Sequence, residues 1–224
     1  MARPRNERQR EAIRLAAWHL FLTEGYEKAT YAAIAAACDI SKELVRHYYP
    51  CKEELAIEFK QAVLCAAEQA VEDLGITAHE GYRFMYAVGC ACFEFLLSTA
   101  GSKSFLLDLI ANRDLAERAI AFNADWALAK MPYGTEGQNR KAARSVIMQL
   151  SGFAGLLYHC MRHNEPFDVE EEFKEVIISL GRALGDLNAL GHFPANERGF
   201  AVEMRSAASE IGELVLPGPN GSKH

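Results

Sequence analysis

The chain has 224 residues, half of them hydrophobic and 24% charged, with a formal net charge of -6. This composition excludes a disordered polyelectrolyte and argues against nonspecific nucleic-acid binding by the whole surface. Six cysteines without a CxxC pair are too sparse for a disulfide framework and weaken a zinc site; no apolar run reaches the ~18 residues of a membrane span, and the charged start MARPRNERQRE lacks an apolar leader core. Charge is uneven along the chain. Residues 1–60 hold ten Lys/Arg against nine Asp/Glu, or +1, leaving -7 for the rest. A basic leading edge, with Arg3, Arg5, Arg8, Arg10 and Arg14 in its first fourteen residues, precedes an acidic body.

Helical periodicity dominates and period-2 alternation is nearly absent, which predicts an all-α chain. Ile13, Ala16, Ala17, Leu20 and Phe21 form the stripe of a first helix, with Asn6 as N-cap, Gln9 three residues later and Gly25 as the terminating glycine. Thr30 caps a short second helix that turns Ile34, Ala35 and Cys38 inward, and Ser41 caps a third that ends before Pro50. Cys51 stands at the N-cap of a fourth helix, with Glu53 and Glu54 in its first turn. Its apolar positions run from Leu55 to Leu74, and Gly75 closes it. Two short helices joined by a tight turn, on a frame of longer ones, are the elements of a helix-turn-helix that enters a DNA major groove.

Further helices are expected near 79–99, 103–112, 114–130, 138–163 and 169–189, with a weaker one near 198–215. The loops between them fall at TAGS (99–102), MPYGTEG (131–137) and HNEPFD (163–168). The 79–99 segment is apolar on nearly every side and is therefore expected to be buried all round. The 138–163 segment carries Phe153, Leu157 and Cys160 on one side and the small residues Ser151, Gly152, Ala154 and Gly155 besides. Apolar coverage beyond one face suggests contact with more than one layer. The 169–189 segment has one clean stripe, Val169 to Leu187.

The N-terminal pattern resembles the TetR family of bacterial transcriptional regulators over about residues 8–60. The anchors are Ala16-Ala17, Leu20-Phe21, Gly25-Tyr26, Thr30, Ile34-Ala35, Ser41-Lys42, His47-Tyr48-Tyr49 and Lys52-Glu53-Glu54-Leu55. The resemblance implies a DNA-binding domain over 1–60, a linking helix at about 52–74, and a helical ligand-binding and dimerisation domain over 61–215, with 216–224 a disordered tail. It also implies dimerisation through the last two long helices. Family members often have Gly at the Asp39 position, and Thr and Tyr where this chain has Leu44 and Arg46, so its sequence preference should differ from theirs.

The residues themselves give candidate roles. Thr30 and Ser41 stand at helix N-termini that attract phosphate, and Lys52 is a third phosphate candidate. Lys42, Glu43, Arg46 and His47 are candidates for base edges, with Arg46 favoured for a guanine; Tyr48 completes the DNA-binding set. A mostly apolar pocket is expected around Tyr86, Cys90, Glu94, Phe122 and Trp126, with Met131 as further wall and the Glu94 carboxylate as anchor. The resemblance implies that Phe153, Leu157, Val176 and Leu180 lie at the subunit interface. His159 and His163 share a helix face but lack a third ligand, so no metal is expected. No nucleophile–base pair or phosphate loop stands out, and the chain is read as a non-enzyme without a cofactor. The reading is a cytoplasmic homodimeric repressor that binds double-stranded DNA at a palindrome and is released by a small molecule, with no membrane partner. The alternatives are a helical ligand-binding or interaction module that no longer reads DNA, and a thiol sensor acting through Cys51, whose place beside Lys52 favours the thiolate.

Overall fold

A computed structural model describes residues 6–130, 136–185, 193 and 197–216. Among them every regular element is helical: α1 (Glu7–Glu24), α2 (Tyr31–Ala37), α3 (Lys42–Tyr48), α4 (Lys52–Asp73), α5 (Tyr82–Leu97), α6 (Ala100–Ala111), α7 (Arg113–Lys130), α8 (Glu136–His163), α9 (Val169–Leu184) and α10 (Glu197–Val215). Arg3, Arg5, Met131, Leu187 and the expected tail from 217 onward lie outside the described residues.

The first three helices start where capping chemistry puts them. Asn6 accepts from the Arg8 amide, Thr30 from Ala33 and Ser41 from Leu44, each satisfying a backbone donor that its helix leaves free. Gly25 follows α1 at φ +89°, where any side chain is strained. Tyr49 takes an extended conformation before Pro50 and ends α3.

Three expected boundaries move. The long apolar helix starts at Tyr82 rather than 79, because a 3-10 turn over Ala78–Glu80 and Gly81 at φ +56° precede it. TAGS is no loop: Thr99 is the N-cap of α6, accepting from the Ser102 amide, and Ala100, Gly101 and Ser102 form its first turn. The α9 helix closes on a left-handed Gly185, before the expected 189; residues 186–189 lie outside the described set.

The α4 helix runs from the N-terminal unit into the body, where α10 packs against both it and α5. The second tie between the two regions is α6. Its Gly101 lies so close to α1 that a Cβ there would stand 2.2 Å from the Leu22 carbonyl oxygen. Beside it the Thr99 hydroxyl donates to that same oxygen at 3.1 Å. Phe105 of α6 then enters the aromatic core of the N-terminal unit, 5.0 Å from Phe21 and 4.8 Å from Phe59 between ring centres. A second aromatic cluster, Phe93, Phe153, Phe167 and Phe173, sits deep in the body.

Candidate nucleic-acid interface and effector pocket

The turn between α2 and α3 requires a left-handed residue, and Asp39 supplies it at φ +52°, a conformation that Asp tolerates better than most residues. The turn closes as the Ile40 amide donates to the Ala35 carbonyl at 3.0 Å. Ile34, Ala35 and Val45 are buried with Ile13 and Ala17 of α1, which fixes which side of α3 faces out. Lys42, Glu43, Arg46 and His47 are exposed, as are Thr30 and Ser41. At 100° per residue the four α3 side chains span an arc of about 140°, one outward face. The Arg46 guanidinium stacks over the Tyr31 ring at 5.3 Å, while the Tyr31 hydroxyl donates toward the carbonyls of Tyr49 and Pro50. That contact orders a long side chain on the reading face.

Two members of the expected DNA set are engaged within the chain. Tyr48 is buried, and its hydroxyl accepts from the Asn6 amide at 3.1 Å, fastening the end of α3 to the start of α1. Lys52 spends its ammonium within the chain: Nζ donates to the Tyr26 carbonyl at 2.9 Å and lies 3.7 Å from the Tyr26 ring centre. Burial pushes its pKa down, against the neighbouring Glu27, Glu53 and Asp108. Cys51 is exposed and makes no capping hydrogen bond. The frame is closed by Glu58 of α4, which accepts from Arg10 of α1 at 2.8 Å and from the Tyr49 hydroxyl at 3.0 Å.

The body holds a pocket of about 570 Å³ of empty space, part of it open to solvent, between α4, α5, α7, α8 and α9. Of the five expected ligand residues only Trp126 lines it; its indole N–H donates to Glu68 at 2.7 Å, which sets the ring plane. Tyr86 is buried elsewhere, stacked on Phe200, with its hydroxyl donating to the Glu170 carbonyl at 3.2 Å; burial raises its pKa. Cys90 lies beside Tyr86, its thiol pushed up by burial and by Glu170. Phe122 packs partly buried against the core, outside the pocket. Glu94 is half-buried and does not line the pocket, so the expected carboxylate anchor is not in place.

The pocket's polar groups are Lys60, Asn123 and Gln149. Lys60 is 4% exposed, and its Nζ donates to Asn123 Oδ1 at 3.3 Å. The sequence did carry a signal for it. Ala56, Phe59, Lys60, Val63, Leu64 and Ala67 fall on the buried stripe of α4, so one lysine occupies a core position.

The expected interface residues also move inward. Phe153, Leu157, Val176 and Leu180 are all buried within the single chain, and Val176 and Leu180 line the pocket. Phe153 meets Phe93 at 4.8 Å and Phe173 at 5.2 Å between ring centres. The outward side of α8 instead presents Met148 (70% exposed), Ile147 (42%) and Leu156 (41%), around Gly152 and Gly155, where an added Cβ would meet nothing. The rings of His159 and His163 lie 4.5 Å apart between centres, tilted by 43°, and His159 reaches Glu165 at 3.5 Å. Among the described residues no three His, Cys, Asp or Glu side chains are grouped to hold a metal.

Residues 13–59 match the family model described as bacterial regulatory proteins, tetR family. Over those residues the chain is similar to the TetR family. The match covers α1, α2, α3 and the first part of α4, the helix-turn-helix unit, and the family it matches is one of bacterial regulatory proteins. Among solved structures, a TetR-family regulator from Streptomyces coelicolor A3 aligns over 83% of this chain and 99% of its own, at 23% identity and a TM-score of 0.52. This likeness extends the common fold beyond the N-terminal unit into the helical body. No curated protein matches the chain. No single helix among the described residues is long and apolar enough to cross a membrane.

Proposed function

We propose that this chain is a TetR-family regulator, a cytoplasmic repressor that acts by binding alone, holding a palindromic operator as a homodimer until a small molecule enters the body pocket. The observation that carries the reading is the outward face of α3, where Lys42, Glu43, Arg46 and His47 stand exposed on a buried frame. Thr30 and Ser41, at the N-termini of α2 and α3, take flanking phosphates, and Arg46 reads a base edge. The N-terminal 60 residues serve as the reading domain, and the rest to about 215 as the controlling one. The outer side of α8 supports the dimer: apolar side chains surround glycines that permit close backbone approach. Release follows if the effector binds the free dimer more tightly than the DNA-bound one.

Selection of operators from random duplexes, followed by footprinting, tests this reading. It predicts two inverted half-sites about 10 base pairs apart between centres, the spacing of successive major grooves on one face. Leu156→Glu should give soluble monomers with weakened operator binding, whereas Phe153→Glu should fail to fold, because it buries an unpaired charge. Failure to enrich any sequence, or an unaltered dimer in Leu156→Glu by sedimentation, contradicts the corresponding part.

A further inference from the structure

The body pocket is apolar almost throughout, with aromatic walls from Phe93, Trp126 and Phe173, and it holds one ammonium. Lys60 sits there 4% exposed. A lysine carries three N–H donors, and its one hydrogen bond among the described residues goes to the neutral Asn123 amide oxygen at 3.3 Å. No carboxylate among the described residues forms an ion pair with it. The contrast within the chain is clear. Lys130, 6.0 Å from the Trp126 ring centre, pairs with Glu68, and the ammonium of Lys52 has a carbonyl and a ring face. An ammonium held in an apolar cavity without a counter-charge is costly unless something supplies one.

We infer that the effector pocket takes an amphiphilic anion, a carboxylate or comparable single negative head on an apolar chain or ring, with the head on Lys60 and the apolar part between Trp126 and Phe173. This deepens the effector reading proposed above and rests on it for its regulatory meaning. Gly89 shapes the wall, since a Cβ there would stand 2.0 Å from the Phe173 ring, and the aromatic side chain therefore lies flush against α5.

The position of Lys60 also supplies a route to the reading head. Lys60 and Glu58 are two residues apart, about 200° around α4. Glu58 holds Arg10 and Tyr49 of the N-terminal unit while Lys60 faces the pocket. An anion drawn onto Lys60 thus acts on the helix whose other side anchors α1 and the end of α3.

Paired probes test the inference by calorimetric titration of the full chain: decanoate against decan-1-ol, and 2-naphthoate against 2-naphthylmethanol. In wild type the anion of at least one pair should bind about tenfold or more tightly than its neutral partner, the gain expected from a charge-assisted hydrogen bond. Lys60→Met, close in shape, should erase that preference. Asn123→Asp should erase it too, by giving Lys60 an internal counter-charge, and so provides a second variant if Lys60→Met is poorly folded. Equal binding within both pairs, no binding by either anion, or a preference that survives both substitutions overturns the inference. Operator binding measured with and without the preferred anion separates the two readings. An anion that binds through Lys60 but leaves operator affinity unchanged upholds the pocket chemistry and refutes ligand release.

Discussion

The two regions of the molecule treat their polar groups differently. In the N-terminal unit each of the three short helix starts has its own side-chain cap. Arg10, Glu58 and Tyr49 close on one another, and Lys52 closes on Tyr26. Space there is filled by three aromatic rings from α1, α4 and α6. In the body, by contrast, five helices leave room between them, and a buried lysine faces that room, where its hydrogen bond among the described residues goes to an amide oxygen. The first region is built to hold one geometry, as a reading head must be. The second leaves space and, among the described residues, a buried ammonium with no paired carboxylate. Among the described residues α4 and the clasp of α6 on α1 join them, so the connection runs through packed helices.

Equivalent truncations in the two regions should break this contrast if it is mistaken. Phe21→Ala removes a fully buried ring from the aromatic trio and should cost about 3–5 kcal/mol in urea unfolding. Leu180→Ala enlarges a pocket that already exists and should fall at the low end for buried leucine, about 2 kcal/mol. A larger loss at Leu180 than at Phe21 would reverse the assignment of tight and loose regions.

The clasp itself is tested by Gly101→Ala. The new Cβ meets backbone atoms of Leu22 and Thr23 rather than a movable side chain. The overpacking cost should therefore approach the upper part of about 1–3 kcal/mol, with a lowered Tm and weakened coupling between effector and operator. A variant as stable as wild type would show that α1 and α6 separate easily. A smaller effect is expected at a cap: Ser41→Ala removes the acceptor for the Leu44 amide and should cost about 1 kcal/mol, read as a shift in the urea midpoint.

The smallest effect concerns pH. Burial and the neighbouring Glu58 push Tyr49 up to about 12 from its usual 10. The folded state thus keeps the proton that the unfolded chain gives up first. Its contribution is complete below about pH 10 and is lost as pH rises toward 12. Tyr49→Phe should flatten that part of the stability profile, and an unchanged slope between pH 10 and 12 would refute the assignment.

Much of the reading head was legible because its chemistry is local. A cap residue, a left-handed turn residue or a proline stop acts on its immediate neighbours, so Asn6, Thr30, Asp39, Ser41 and Pro50 could be placed from the sequence. The roles of Tyr48 and Lys52 could not, since they depend on Asn6 and Tyr26, more than twenty residues away. The same limit misplaced the body's sites. Along α8 both sides carry apolar residues, and periodicity alone cannot say which side turns inward. Packing against Phe93 and Phe173 took Phe153 in and left Met148 and Leu156 outside. Glu94 drew attention as a charge in an apolar helix, but a partly exposed face accommodates it. Lys60 meets the same criterion, a charge on the buried stripe of α4.

The central claim, that α3 reads DNA through its outward face, is tested most directly by gel-shift titration of wild type and Arg46→Ala. Each is measured on the selected operator and on a random duplex, at low and at moderate salt. The account predicts that wild-type affinity falls steeply as salt rises. Arg46→Ala should lose about 1–3 kcal/mol on the operator, with a much smaller loss on the random duplex. Equal binding of both proteins to both duplexes, or wild-type binding indifferent to salt, would contradict it.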